Sequence, residues 1–294
     1  MKKVTQFLLK FISKICSARL VLEMFVSVAI FTLPCKVMAR DMSMLLVDLD
    51  TKKIIYESNA TEQRFPASLT KLMVLYIAFD KIQQGKIGLD DIVVVSKNAA
   101  KQPSSQIYLQ QGDEISVYDL ISSIIVQSAN DSAVALAEYI GGTEQNFVDE
   151  MNNAALKLKM YFTYFVNANG LHDDRQVSTA KDIARLSVSL YNDFKDFYPL
   201  FSMKTFAYKG RNFTTHNSIV AEYSGANGLK TGYVAASGYN IASTAQRNGN
   251  NVLTVVLGGR TAEERNIYAS ELLDYGFDFL SGRIQSEYSI FASN

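Results

Sequence analysis

Ser68-Leu69-Thr70-Lys71 is the stretch whose residue types and spacing best suit nucleophilic chemistry. On a helix the two polar residues share a face one turn apart, so the lysine amine reaches the serine oxygen. The positive end of a helix dipole disfavours a second positive charge, which pushes Lys71 toward the neutral amine. A neutral amine takes the serine proton as the hydroxyl attacks a carbonyl. The pair also has an ordinary reading, a serine N-cap with a solvated lysine one turn on. Ser178 and Lys181 repeat the spacing, and there Thr179-Ala180-Lys181-Asp182 reads as a helix start with a capping-box acid. The pair alone leaves both readings open.

Two further elements stand downstream, Ser128-Ala129-Asn130 and Lys230-Thr231-Gly232. Ser128 lies between two apolar helical runs. A loop there can project its hydroxyl into a cleft as a proton relay, while Asn130 hydrogen-bonds a substrate backbone. Capping of the next helix by Asn130 or Asp131 accounts for the same residues without chemistry. Lys230-Thr231-Gly232 opens a strand, where Gly232 permits close approach of another backbone and the lysine and threonine offer donors to a carboxylate. A strand edge with a solvated lysine is the plain alternative.

The elements that must position these groups follow from periodicity. Leu72, Met73, Leu75, Tyr76, Phe79 and Ile82 recur at helical spacing after Phe65-Pro66-Ala67 and stop at Gly85. Met44 to Leu49 and Ile54 to Tyr56 flank a turn and predict a hairpin. Asp91 to Ser96 is a short strand-like run, and helices are expected from Val117, from about Ser132 to Ile140, from Phe147 to Lys159 and from Thr179 to Tyr191. Beyond Asn227, strands around the turn Asn248-Gly249-Asn250 and the apolar run Val252 to Leu257 predict an antiparallel meander. A closing helix from about Ala262 to Leu280 has Ile267, Leu272, Leu273, Tyr275, Phe277 and Phe279 as packing residues. The fold class expected is α+β. One antiparallel sheet is built from both chain ends (40–66 and about 205–282), an all-helical lobe (about 67–204) is inserted, and a cleft forms where they meet.

With 294 residues and 48% hydrophobic content, the chain can bury a sizeable core. Its start reads as a secretory leader, residues 1–39, with an uncleaved membrane anchor as the alternative that the short apolar run and Glu23 at its border disfavour. Lys2, Lys3, Lys10, Lys14 and Arg19 precede the apolar run Met24 to Leu33, and Val37-Met38-Ala39 supplies a cleavage site. Cys16 and Cys35 both fall in that leader, so the exported chain has no disulfide or thiolate chemistry. Removing the leader takes six of 29 Lys and Arg and one of 29 Asp and Glu, leaving 23 against 28, or −5, which gives nucleic acid no foothold. His172 and His216 are the only histidines and no cluster has ligand spacing, so neither metal nor cofactor is expected.

The ordered triple Ser68-x-x-Lys71, Ser128-Ala129-Asn130 and Lys230-Thr231-Gly232 resembles the set shared by penicillin-binding proteins and class A β-lactamases. The likeness extends to Phe65 through Met73, the Phe165 to Leu171 loop, the Ser178 to Asp182 helix start, and Val256 to Arg260 with Arg265 and Tyr275-Gly276-Phe277. Over about residues 41 to 280 the chain resembles the serine-type D-alanyl-D-alanine carboxypeptidases, low-molecular-mass penicillin-binding proteins with the DD-peptidase/serine β-lactamase-like fold. The resemblance implies that Ser68 is acylated by the penultimate D-alanine of a peptidoglycan stem peptide and that penicillin acylates it too. Lys71 would be the base and Ser128 the proton relay. Asn130, Lys230, Thr231 and Gly232 would contact substrate, and the N–H groups of Ser68 and Tyr233 would form the oxyanion hole. Arg265 would take the terminal carboxylate, or else be a first-turn surface arginine. His216 falls where the family lines the cleft, with a structural hydrogen bond as its expected role. Ala129 replaces the family's usual glycine. The short polar tail 283–294 implies no stable membrane anchor, and the leader implies a periplasmic or extracytoplasmic site. A β-lactamase would need a carboxylate to activate the deacylating water, and Asp173 and Asp174 do not match the expected pattern. An endopeptidase on the same fold is a variant of the main reading, and a non-catalytic wall-binding protein would have no use for the intact set.

Overall fold

The computed structural model describes residues 42–284, so the expected leader and nearly all of the short tail lie outside the described residues. In chain order, β1 (Ser43–Asp48) and β2 (Ile54–Ser58) form the first hairpin. A 3₁₀ turn (Ala67–Thr70) runs into α1 (Lys71–Gln83), followed by β3 (Ile92–Val94), α2 (Lys97–Ala100), β4 (Glu114–Ser116), α3 (Val117–Val126), α4 (Asn130–Gly141), α5 (Glu144–Lys157) and α6 (Ala180–Asp193). A second 3₁₀ turn (Tyr198–Ser202) leads to β5 (Thr205–Tyr208), β6 (Arg211–Thr214) and α7 (Ser218–Glu222). The meander β7 (Ala226–Val234), β8 (Gly238–Arg247) and β9 (Asn250–Gly259) precedes the closing helix α8 (Ala262–Leu280).

Five strands form one antiparallel sheet in the order β2-β1-β9-β8-β7, so the chain's first strand lies beside one of its last. Alternation decides which core each residue joins, because successive strand side chains point to opposite faces. Leu45, Val47, Leu253, Val255 and Leu257 pack with the helical lobe. Met44, Leu46, Val252 and Val256 pack instead with Leu272, Leu273, Tyr275 and Phe277 of α8. Helices on both faces leave β9 no solvent side, which is why Val252 to Leu257 reads as an unbroken apolar run. The β8–β9 turn places Asn248 at φ 51° and Gly249 at φ 82°, the left-handed pair that an Asn-Gly hairpin needs.

The mixed α+β architecture with its sheet from both chain ends is the one expected, with four local differences. The inserted lobe is not all-helical, since β3 and β4 pair there as a two-stranded ribbon. Ile267 faces outward and is 49% exposed, whereas Leu272, Leu273, Tyr275 and Phe277 are buried as expected. The β5–β6 hairpin and α7 were not resolved by periodicity, being only four, four and five residues long. At the start of α6 only half of the expected capping box forms. Thr179 Oγ1 accepts from Asp182 N at 3.0 Å, but the Asp182 carboxylate accepts from Phe162 N, Thr163 Oγ1 and Arg185.

Candidate active site

Three elements converge on Ser68. Asn240 of β8 donates through Nδ2 to the Phe65 carbonyl at 3.0 Å, and its Oδ1 accepts from Gly258 N at 2.9 Å, which ties the serine turn to the sheet. Gly232 of β7 lies so close to that turn that a Cβ there would stand 3.0 Å from Ser68 N and 3.1 Å from Pro66 O. Gly170 packs against it from the helical lobe. With φ at +83°, a side chain there would be strained and would collide with the Ala67 carbonyl. Ala67 and Ser128, both at this site, hold φ of 51° and 59°, left-handed values that cost non-glycine residues roughly 1–2 kcal/mol each.

Lys71 is completely buried beneath the serine. Its Nζ lies 3.0 Å from Ser68 Oγ and 2.7 Å from Asn130 Oδ1, and it also donates to the Asn169 carbonyl. Two of these partners are carbonyl oxygens that only accept, so a neutral amine gives them its two N–H bonds and keeps its lone pair for the Ser68 hydroxyl. Burial lowers the Lys71 pKa well below the ordinary lysine value, and the Lys230 charge lowers it further, against a smaller opposing pull from Asp131. The sequence assigned this shift to the helix dipole; in the fold, desolvation and a second lysine produce it.

Asn130 is a hub rather than a cap, because the N-cap position of α4 is Ala129. Its Nδ2 donates to the Pro103 carbonyl at 2.8 Å and its backbone N donates to the Ser105 carbonyl at 2.7 Å. Asp131 is no cap either. Its buried carboxylate accepts from Ile107 N at 3.1 Å and Leu109 N at 3.0 Å, fixing the segment that presents Ser104 and Ser105. Lys230 is 3% exposed, donates to the Thr231 carbonyl at 3.0 Å, and is brought down to a pKa of about 7 by burial and by the Arg265 charge.

These groups border a cleft of about 320 Å³, lined among others by Ser68, Ser104, Ser105, Ser128, Asn130, Asn169, His216, Thr231, Gly232, Tyr233, Tyr239 and Arg265. Lys71 and Lys230 sit behind this lining. Arg265 is not a surface residue. It is 4% exposed, donates from Nη1 to the Asn240 carbonyl and from Nε to Asn266 Oδ1, each at 2.9 Å, and is lowered to a pKa of about 10 by burial. His216 lines the cleft but makes no side-chain hydrogen bond among the described residues, so its expected structural bond is absent; burial and Lys230 lower its pKa. Asp173 is held by Arg175, and neither it nor Asp174 lines the cleft.

Sequence reasoning missed Asn169, Asn240, Ser105 and Tyr239. Asn169 acts through its carbonyl, which has no side-chain signature. Only the Asn167-Ala168-Asn169-Gly170 turn hinted that the backbone comes close there.

The chain matches known proteins over nearly all of the described region. The family model described as D-alanyl-D-alanine carboxypeptidase matches residues 32–261. D-alanyl-D-alanine carboxypeptidase DacC of Escherichia coli is 36% identical over 242 residues, covering 80% of this chain and 60% of that protein. DacF of Bacillus subtilis is 33% identical over 239 residues, covering 80% and 61%. Penicillin binding protein 6B from Escherichia coli is similar at TM-score 0.77 and 37% identity over 80% of this chain and 76% of that one. Penicillin-binding protein D2 from Listeria monocytogenes in its ampicillin-bound form gives TM-score 0.73 and 32% identity over 80% and 96%. The chain spans about three fifths of the length of these curated relatives.

Proposed function

The chain belongs to the D-alanyl-D-alanine carboxypeptidase family, and on that premise we propose that it is a serine D,D-carboxypeptidase removing the terminal D-alanine from peptidoglycan stem peptides. The observation that carries this reading is the buried Lys71 amine, 3.0 Å from Ser68 Oγ with two carbonyl oxygens as its other partners, an arrangement in which the neutral amine has its lone pair free for the serine proton.

Ser68 Oγ attacks the penultimate D-alanine carbonyl while its proton passes to Lys71 Nζ. The N–H groups of Ser68 and Tyr233 take the developing oxyanion, worth about 3–4 kcal/mol per donor in comparable sites. Ser128 relays a proton to the departing amine, so the C–N bond breaks and D-alanine leaves. Water then cleaves the Ser68 ester. Asn130, Thr231 and Gly232 hold the peptide backbone. Lys230 and Arg265 supply positive charge for the terminal carboxylate, with Arg265 offering the planar fork. His216 lies at the rim of the same cleft. A β-lactam presents the same carbonyl and carboxylate and acylates Ser68 without losing a leaving group.

Asp173, occupied by Arg175, supplies no base for rapid deacylation. The penicilloyl ester therefore persists, which favours a penicillin-inhibited peptidase over a β-lactamase. The leader at 1–39 supports export to the periplasm or another extracytoplasmic site.

Mass spectrometry of the exported protein after benzylpenicillin treatment tests this. A single adduct on the peptide containing Ser68, absent from Ser68→Ala, is expected, together with release of D-alanine from a D-Ala-D-Ala peptide. No adduct, or an adduct lost within seconds, overturns the reading.

A further inference from the structure

Asn169 gives its carbonyl to Lys71, yet no backbone ladder holds Asn169 in place. Tyr164 exchanges both backbone hydrogen bonds with Val177, and there the pairing stops. From Phe165 to Leu171, among the described residues, no backbone group bonds to another backbone group. Side chains take over. Asn152 of α5 pairs with Phe165 as a strand would, its Nδ2 donating to the carbonyl at 2.9 Å and its Oδ1 accepting from the N–H at 2.8 Å. Glu144 Oε1 accepts from Ala168 N at 3.2 Å, and Asn169 Nδ2 donates to Gln102 Oε1 at 2.7 Å. Within the loop, Asn167 Oδ1 accepts from Gly170 N at 2.8 Å and Asn169 Oδ1 from Leu171 N at 2.9 Å.

The hub of this network is Gln176, which is 2% exposed. Its Oε1 accepts from Val166 N at 2.9 Å and Asn167 N at 3.1 Å, and its Nε2 donates to Asn167 Oδ1 at 3.0 Å and the Leu171 carbonyl at 3.2 Å. One amide spends its whole capacity, two lone pairs and two hydrogens, on a single loop. Asn167 and Leu171 lie two residues to either side of Asn169, so these bonds bracket the carbonyl that meets Lys71. Gly170, pressed against the Ala67 carbonyl of the serine turn, lies in the same bracket. Gln176 itself does not line the cleft, so its effect on the reaction passes through the loop. Without backbone bonds to fall back on, the loop keeps its shape only while these buried side-chain partners stay satisfied.

We propose that Gln176 is a positioning residue for Lys71, fixing the Phe165–Leu171 loop so that the Asn169 carbonyl holds the amine where it takes the Ser68 proton. This rests on the carboxypeptidase reading, in which Lys71 is the base, and names the side chain that keeps the base in place.

Gln176→Glu tests it, because the variant keeps the shape and both accepted bonds and loses both donated ones. A carboxylate oxygen then faces Asn167 Oδ1 and the Leu171 carbonyl, acceptor against acceptor. Stopped-flow labelling with a fluorescent penicillin at increasing concentration separates initial binding from acylation. The limiting acylation rate is expected to fall about ten- to a hundredfold, the cost of misplacing a reacting group by about 1 Å, while the half-saturating concentration stays within about twofold. Asn152→Asp removes a donated bond at the far end of the loop, four residues from Asn169, and is expected to slow acylation less than about threefold. A Gln176→Glu rate within about threefold of wild type overturns the proposal. So does a loss carried wholly by the half-saturating concentration, which would make the loop a substrate contact, and so does equal slowing by Asn152→Asp, which would mean general loosening. If Gln176→Glu does not fold, the part-buried Asn167→Ala, which deletes the acceptor of Gln176 Nε2, carries the test, and an unchanged limiting rate there overturns the proposal. A wild-type protein that forms no adduct sinks the carboxypeptidase reading and the proposal with it, whereas a wild-type adduct on Ser68 with unchanged variant kinetics sinks the proposal alone.

Discussion

Asn130→Asp changes one donor into an acceptor at the hub beside the buried base. Asn130 Oδ1 accepts from Lys71 Nζ at 2.7 Å, and a carboxylate oxygen keeps that contact while adding a negative charge. An opposite charge at this range favours the ammonium form, by about one to three powers of ten in the protonation equilibrium. At neutral pH the neutral amine needed for attack falls by up to that factor, the full drop appearing only where the wild-type amine is already mostly protonated. On the other side, Asn130 Nδ2 donates to the Pro103 carbonyl at 2.8 Å, and aspartate sets two acceptors face to face there. That costs about 1–3 kcal/mol of stability, roughly 2–12 °C in Tm for a domain of this size. The assay is the second-order rate of labelling by a fluorescent penicillin across about pH 6–10, with Tm recorded in parallel. Raising the Lys71 pKa moves the acidic limb of the profile to higher pH, so labelling drops by up to one to three powers of ten on that limb and recovers toward wild type as pH rises. Asn130→Ala, which removes the acceptor without adding charge, should instead label slowly at every pH. An Asn130→Asp profile depressed uniformly, or one with its acidic limb unmoved, would refute the idea that Asn130 sets the state of Lys71.

The remaining predictions follow from the same geometry. Lys230 titrates at about 7 in the fold against an ordinary 10.5, so between those values the unfolded chain binds more protons and stability rises with pH. Denaturation at pH 7 and pH 9 should show a smaller difference in Lys230→Met than in wild type. The same variant removes a charge that depresses Lys71, so its acidic limb should move to higher pH, and a limb that stays put would dissociate the two lysines. Gly170→Ala drives a Cβ into the Ala67 carbonyl at a left-handed backbone position, and a Tm loss of at least about 2–4 °C with slowed acylation is expected. Arg265→Lys loses the fork held by Asn240 and Asn266, so KM for a D-Ala-D-Ala peptide should rise about tenfold with kcat less affected. An unchanged KM would leave carboxylate recognition to Lys230 and Thr231.

Much of the fold was legible because it rests on local signals. The β9 run, the Asn248-Gly249 turn and the apolar stripe of α1 each carry a period that survives without tertiary context. Ile267 was misplaced because the stripe of α8 was read without knowing which face meets the sheet. The ribbon of β3 and β4 has three residues per strand, too few for alternation to register. At the site, Ser68, Ser128 and Lys230 were found because their side chains carry the chemistry. Asn240 was passed over because its role is to bridge two backbone segments 175 and 18 residues away, a relation with no linear trace.

By itself the sequence determined which groups could react and in what order they occur: a serine and lysine one helical turn apart, a serine on an inter-helix loop, and a Lys-Thr-Gly strand. Chain spacing and side-chain chemistry suffice for that. The ordered companions downstream already set Ser68-Lys71 apart from Ser178-Lys181, but only the tertiary structure decided what makes the two lysines physically different. Lys71 is wholly buried, with Lys230 nearby and two carbonyl acceptors on its nitrogen, whereas Lys181 remains near the surface beside Glu57. A lysine's charge depends on the solvent and charges around it, and those come from segments some sixty to one hundred and sixty residues away in the chain.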